Sequence, residues 1–160
     1  ENLGQLLTQV AGRAGRGEIA GQVVVQTWHP HHPSLLQLVT EGYATFARQL
    51  LQERAQGQLP PFVHFILVHA EANAQALPLA LLRELAETIG REAPRELRLF
   101  GPMPSPFGKK AGLFRAQLIL QAPRRAMLQK QGSKLVAWLE DSPHARKVRW
   151  QIDVDPTDFS

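Results

Sequence analysis

Leu113-Phe114-Arg115-Ala116-Gln117-Leu118-Ile119-Leu120-Gln121-Ala122 decides the fold, because its polarity alternates with a period of two. Phe114, Ala116, Leu118 and Leu120 fall on one side, and Arg115, Gln117 and Gln121 on the other. That pattern marks a strand with one face on a core. Lys147 to Asp155 repeats it, with Val148, Trp150, Ile152 and Val154 inward and Arg149, Gln151, Asp153 and Asp155 outward. Between these strands, Arg124 to Asp141 carries Leu128, Leu135, Val136 and Leu139 at helical spacing. Upstream, Phe62 to Ala70 is an apolar strand and Asn73 to Gly90 a helix burying Leu81, Leu82, Leu85 and Ile89, with Pro78 tolerated near its first turn. Leu97 to Gly101 reads as a short strand, and Pro102 to Gly112 as a proline-rich loop. The order β-α-β-β-α-β predicts the ferredoxin-like α+β arrangement, in which two helices cover one face of a four-stranded antiparallel sheet and the other face stays open.

Before this unit the chain is organised differently. Leu3, Leu6, Leu7 and Val10 form an apolar helical run, Gly17 to Ala20 a loop, and Gly21 to Thr27 a β-rich strand. Prolines make Trp28-His29-Pro30-His31-His32-Pro33 a connector. Its histidines have no Cys, Asp or Glu nearby, so a connector or helix-capping surface is expected rather than a metal site. From Ser34, a fair N-cap, one long amphipathic helix is expected, with Leu35, Leu36, Val39, Tyr43, Phe46 and Leu50 on its apolar stripe. Gly57 and Pro60-Pro61 end it. The expected divisions are therefore 1–28, 29–61 and 62–160.

The 160 residues contain no cysteine, which excludes disulfides and thiolate metal sites and fits a cytosolic protein. The chain begins at Glu1 and shows no apolar leader or membrane-length apolar run, so nothing in it indicates secretion or membrane insertion. Charge is uneven. Residues 1–97 hold 7 basic and 9 acidic side chains, and residues 98–160 hold 11 and 5. The positive excess of the last third points to an anionic partner.

The first helix ends in Gln9-Val10-Ala11-Gly12-Arg13-Ala14-Gly15-Arg16. Two guanidinium forks leaving a glycine-lined helix end suit bidentate capture of phosphate oxygens. Gln-x-x-Gly-Arg-x-Gly-Arg resembles the last conserved motif of superfamily 2 helicases, which sits on the second RecA-like lobe and points arginines at ATP bound by the first. That resemblance makes Arg13 and Arg16 candidate arginine fingers, with Gln9 placing the nucleotide or the lobe interface. A basic loop on nucleic acid or on interface acids is the competing reading. No Gly-x-x-x-x-Gly-Lys-Ser/Thr loop occurs, and no Asp-Glu strand for Mg²⁺. Gly108-Lys109-Lys110 lacks both the earlier glycine and a following hydroxyl. Phosphoryl transfer needs a phosphate cradle and a metal as well as a finger, so this chain alone is not expected to hydrolyse ATP.

Four blocks carry a more specific resemblance: Gln9 to Arg16, Gln58-Leu59-Pro60-Pro61-Phe62, Phe100-Gly101-Pro102-Met103-Pro104, and Lys147-Val148-Arg149-Trp150-Gln151-Ile152-Asp153-Val154-Asp155-Pro156. In order and over nearly the whole chain, they resemble the C-terminal end of the PriA family of bacterial primosomal proteins. The resemblance implies an ATP- and Mg-dependent 3′-to-5′ DNA helicase that restarts stalled replication forks. It further implies a zinc-bound cysteine cluster outside this chain, and a cytoplasmic, nucleoid-associated location. It makes residues 1–28 the end of the second RecA-like lobe and the C-terminal unit similar in fold to a small ribosomal protein. Implied partners are forked and single-stranded DNA, other primosome proteins, the rest of the helicase, and the acidic, Phe-ended tail of single-stranded-DNA-binding protein.

The resemblance also places that tail at Arg124-Arg125-Ala126-Met127-Leu128-Gln129. Arg125 and Gln129, four apart and so on one helical face, would hold its carboxylate. DNA backbone would be held by Lys109, Lys110, Arg115, Lys147 and Arg149, with a solvated basic surface as the competing reading. Phe107 or Phe114 could stack a base, although Phe114 fits the core. Asp153 and Asp155, expected to point the same way, have no nucleophile, His or metal ligand beside them and read as surface. Two other classes remain open: a non-enzymatic nucleic-acid-binding module and an RNA helicase fragment.

Overall fold

Strand β3 (Leu113–Ala122) forms over the residues its alternation marks, and its Ala116, Leu118 and Leu120 lie in the core. The computed structural model describes residues 2–14 and 22–157, without the side chains of Asn2, Leu3, Phe107 and Lys110. Arg16 and the expected loop from Gly17 to Ala20 lie outside the described residues. The chain divides into two compact units, residues 1–58 and 59–160.

In the first unit, α1 (Asn2–Ala14) takes up the expected helical run. Gly4 is required where α1 meets the ring of Phe46, since a Cβ there would stand 2.6 Å from Cε1. Much of the apolar stripe stays uncovered, with Leu6 and Val10 exposed. The strand expected over Gly21–Thr27 does not form among the described residues: 22–27 has no regular structure, and Val24 is 84% exposed. A strand is stabilised by a ladder partner, and here it has none.

The single helix expected from Ser34 is two, α2 (Pro33–Glu41) and α3 (Tyr43–Gln56). Gly42 separates them at φ +81°, a conformation that favours glycine and interrupts helical hydrogen bonding. The cap is His32 rather than Ser34, with the Ser34 amide donating to His32 Nδ1 at 3.3 Å. Pro33 occupies the first turn, where its missing N–H costs nothing. Gly57 ends α3, its amide donating to the Glu53 carbonyl at 2.9 Å.

The second unit runs β1 (His64–Ala72), α4 (Ala76–Glu92), β2 (Arg98–Lys110), β3, α5 (Arg125–Asp141), a 3₁₀ turn (Ala145–Lys147) and β4 (Arg149–Val154). The sheet order is β2-β3-β1-β4 with antiparallel pairing throughout. This is the β-α-β-β-α-β topology that the sequence predicts. Ile66, Val68 and Ala70 of β1 join the β3 residues, Leu81, Leu82 and Leu85 of α4, and Leu128, Leu135 and Leu139 of α5 in one core. Each such leucine contributes about 1.5–3 kcal/mol on burial. Val136 is only half-buried, and Gln131 is buried instead.

Three details differ from expectation. The stretch expected as a loop over Pro102–Gly112 continues β2 to Lys110, with register shifts between Phe100 and Met103 and between Pro104 and Lys109. As a sheet edge, β2 has one neighbour only, so prolines and bulges are tolerated in it. Ala111 (φ +50°) and Gly112 (φ +83°) then make a two-residue hairpin turn into β3. The sheet face away from the helices is not open along its length, because Phe65, Leu67, Gln117 and Gln121 are buried there. Finally, β4 stops at Val154. Asp155 turns to φ +52°, so Asp153 and Asp155 do not form a same-side pair on one strand, and Val154 is exposed.

Candidate nucleic-acid and partner interface

The start of α5 and the end of β4 enclose a groove of about 550 Å³. Ile66, Leu128, Val136, Ile152 and Val154 line it, with Arg125 and Gln129 along one margin. Gly132 keeps α5 close to β1, since a Cβ there would lie 3.1 Å from Ile66 Cδ1. Arg125 opens the helix with a 65% exposed side chain, and the first turn holds no acidic residue. Both the helix dipole and the guanidinium therefore favour an anion at this end. Asp155 faces the same margin. Its Oδ1 accepts the Phe65 amide at 3.2 Å, while Oδ2 lies 3.4 Å from His64 Nδ1 and 3.9 Å from Arg125 Nε. Arg124 is engaged elsewhere, at 2.8 Å from Glu96.

A second polar site lies on the sheet face opposite the helices. Register places Arg115, Glu71 and Arg149 side by side on β3, β1 and β4. Glu71 stands 3.7 Å from Arg115 Nε and 3.5 Å from Arg149. These are ion-pair distances longer than good hydrogen bonds. The adjoining row is Gln117, His69 and Gln151. His69, Glu71, Arg115, Arg149 and Gln151 line a depression of about 210 Å³. Burial first, then the Arg115 charge, holds the His69 imidazole below its ordinary pKa of 6.5, against the opposing pull of Asp153 and Glu71.

The basic residues singled out in the sequence are not gathered into one patch. Arg115 and Arg149 share the outer face. Lys109 pairs with Phe114, and its ammonium lies 4.9 Å from that ring's centre. Direct cross-strand partners share a face, so Lys109 belongs with Phe114 on the helix side. Lys147 is exposed in the 3₁₀ turn ahead of β4. The side chains of Lys110 and Phe107 lie outside the described residues. Gln9 and Arg13 are both exposed on α1, four residues apart.

His64, His69 and Glu71 were not singled out from sequence, and Asp155 was read there only as surface. His69 and Glu71 did leave a signal, being polar residues two apart after an apolar run, which puts both on the outward face. Among the described residues no group of three or more His, Asp or Glu could hold a metal ion, and no helix is long and apolar enough to cross a membrane.

These features define a small α+β domain with an anion-favouring groove on one side and a guanidinium row on the other. Residues 55–157 match the family described as Primosomal protein N C-terminal domain, and the chain belongs to that family. Over its full length it is 44% identical to Replication restart protein PriA of Haemophilus influenzae, of which it covers 22%. Identity is 28% with the protein of that name from Bacillus subtilis and 31% with that from Synechocystis sp., over 95% of the chain in each case and 19% and 18% of those proteins. The chain thus spans about a fifth of the length of these relatives.

Proposed function

We propose that this chain is the C-terminal part of an ATP-driven DNA helicase for replication restart, and that residues 59–160 dock that motor onto DNA and onto an acidic protein tail. The observation that carries the reading is the groove between α5 and β4. It pairs an apolar floor with Arg125 and Gln129 at a helix start, which suits a peptide ending in an aromatic residue and a free carboxylate. The C-terminal tail of single-stranded-DNA-binding protein has that chemistry. Arg115 and Arg149, with Lys109, Lys110 and Lys147 at other margins, contact DNA phosphates without reading sequence.

Residues 1–28 close the second RecA-like lobe in this reading. Arg13 and Arg16 reach the phosphates of an ATP whose cradle and Mg²⁺ ligands lie elsewhere in the longer protein, and Gln9 sets that interface. The cysteine-bound zinc also lies elsewhere.

Calorimetry with a tail peptide tests the docking. The acid-ended peptide should bind the chain, and Arg125→Ala should weaken it about tenfold, the range for a charge-assisted hydrogen bond. An amidated peptide should be weakened similarly. Equal binding of the acid-ended peptide to wild type and Arg125→Ala removes the proposal.

A further inference from the structure

We propose that the sheet face opposite the helices holds one nucleotide unit of single-stranded DNA, its phosphate on Arg115 and Arg149 and its base on His69 and Gln151. The inference rests on the DNA-binding reading above and narrows it to a single-stranded substrate and to a base contact.

Geometry comes first. The two rows are adjacent on three strands, with Arg115, Glu71 and Arg149 each two residues from Gln117, His69 and Gln151. Two residues along a strand span about 7 Å, a distance of the order that separates a phosphate from the edge of its own base. The first row carries two cations around one carboxylate, and its ion pairs are loose enough to leave guanidinium N–H groups for phosphate oxygens. A net charge of one unit suits a single phosphate.

The second row carries amides and an imidazole, which both donate and accept, as base edges do. His69 is kept neutral by its surroundings, so its ring offers both roles at neutral pH.

Unsatisfied polarity is the independent observation. Gln117 Oε1, His69 Nδ1 and, nearby on β2, Ser105 Oγ are buried without hydrogen-bond partners. Gln117 is 4% and Ser105 3% exposed. Buried polar atoms are nearly always paired, and leaving one unpaired is destabilising. Gln117 and Ser105 lie too deep to be met directly, so a ligand reaches the row at His69 and exposed Gln151, which line the depression beside the two arginines at the β4 edge. A duplex offers only its groove edges, its Watson–Crick edges being spent in pairing, whereas an unpaired base brings its whole edge to the row. A four-stranded sheet face reads unpaired bases in RNA-recognition motifs, there chiefly by stacking.

The test is fluorescence anisotropy on the 160-residue chain with a labelled oligothymidine of about 15 nucleotides, an abasic oligomer of equal length, and the duplex. Oligothymidine should bind about fivefold tighter than the abasic oligomer, as expected for one or two base hydrogen bonds, and tighter than the duplex. Gln151→Ala, at an exposed position, should bring that ratio towards one and leave the salt dependence unchanged. Arg149→Ala should keep the ratio and reduce the slope of log K against log salt by about 0.7. Equal binding of the thymidine and abasic oligomers, or a ratio unmoved by Gln151→Ala, overturns the base contact while leaving salt-dependent DNA binding in place. No salt-dependent binding of any oligomer overturns both readings.

Discussion

Asp155 holds its Oδ2 3.9 Å from the Nε of Arg125, and its other oxygen accepts the Phe65 amide at 3.2 Å. The Asp155 amide in turn donates to the Phe65 carbonyl at 2.8 Å, so the carboxylate is fixed by β1 at the mouth of the groove. An anionic ligand at Arg125 meets this charge as a rival. Asp155→Asn keeps an acceptor for Phe65 and removes the rival. A unit charge at about 4 Å in a water-like dielectric is worth about 1 kcal/mol. Tail-peptide affinity should therefore rise several-fold in Asp155→Asn, read by calorimetry at low salt, and the gain should shrink at high salt. Unchanged affinity would show that the two charges do not compete.

The arginine-finger proposal belongs to the longer parent protein. There, Arg13→Ala or Arg16→Ala should lower DNA-stimulated ATP turnover by about 10³-fold, the usual effect of finger loss. Fork binding, measured without ATP, should change little. Full turnover in both variants would reassign the pair.

His69 gives a pH dependence with a definite sign. Its folded pKa lies below 6.5, chiefly through burial. As pH falls through 6.5, the unfolded chain takes up a proton before the folded one does. Its contribution is therefore complete above pH 6.5 and is lost progressively below it. Urea midpoints should drop between pH 7.5 and 5.5, and the drop should be smaller in His69→Gln. Parallel pH profiles for the two proteins would contradict this.

Gly101 adopts φ +104°, and a Cβ there would stand 2.9 Å from the Gln117 carbonyl oxygen across the first β2 register shift. The backbone conformation alone costs a side chain about 1–2 kcal/mol, and the contact adds to that. Gly101→Ala should lower the denaturation midpoint without altering the m-value, whereas Gly112→Ala, with open space around it, should meet backbone strain alone. Equal losses would mean that the close approach is not felt.

Much of the second unit was legible because its elements are amphipathic at full length. Leu113–Ala122 and Arg125–Asp141 show their core faces through spacing, although burial of Gln117, Gln121 and Gln131 could not be read from it, and the order of elements then leaves few topologies. β2 was read short because proline chemistry resembles a loop, and only an edge position permits it in a strand. Gly42 was passed over because the apolar stripe continues through it, although a lone glycine within a helical pattern is a known weak point. The strand expected over Gly21–Thr27 finds no ladder among the described residues, because β propensity does not itself supply a partner. Arg125 and Gln129 could be placed on one face from spacing alone. Asp155 could not, since its role depends on a positive φ that no period reveals.

The unladdered valines carry a practical corollary. Gln22-Val23-Val24-Val25-Gln26-Thr27 is six residues long, uncharged, free of proline and solvent-facing, the composition that zips into cross-β stacks. At high concentration the 160-residue chain should seed its own precipitation there, and a shortened piece starting at Leu59 should stay clear.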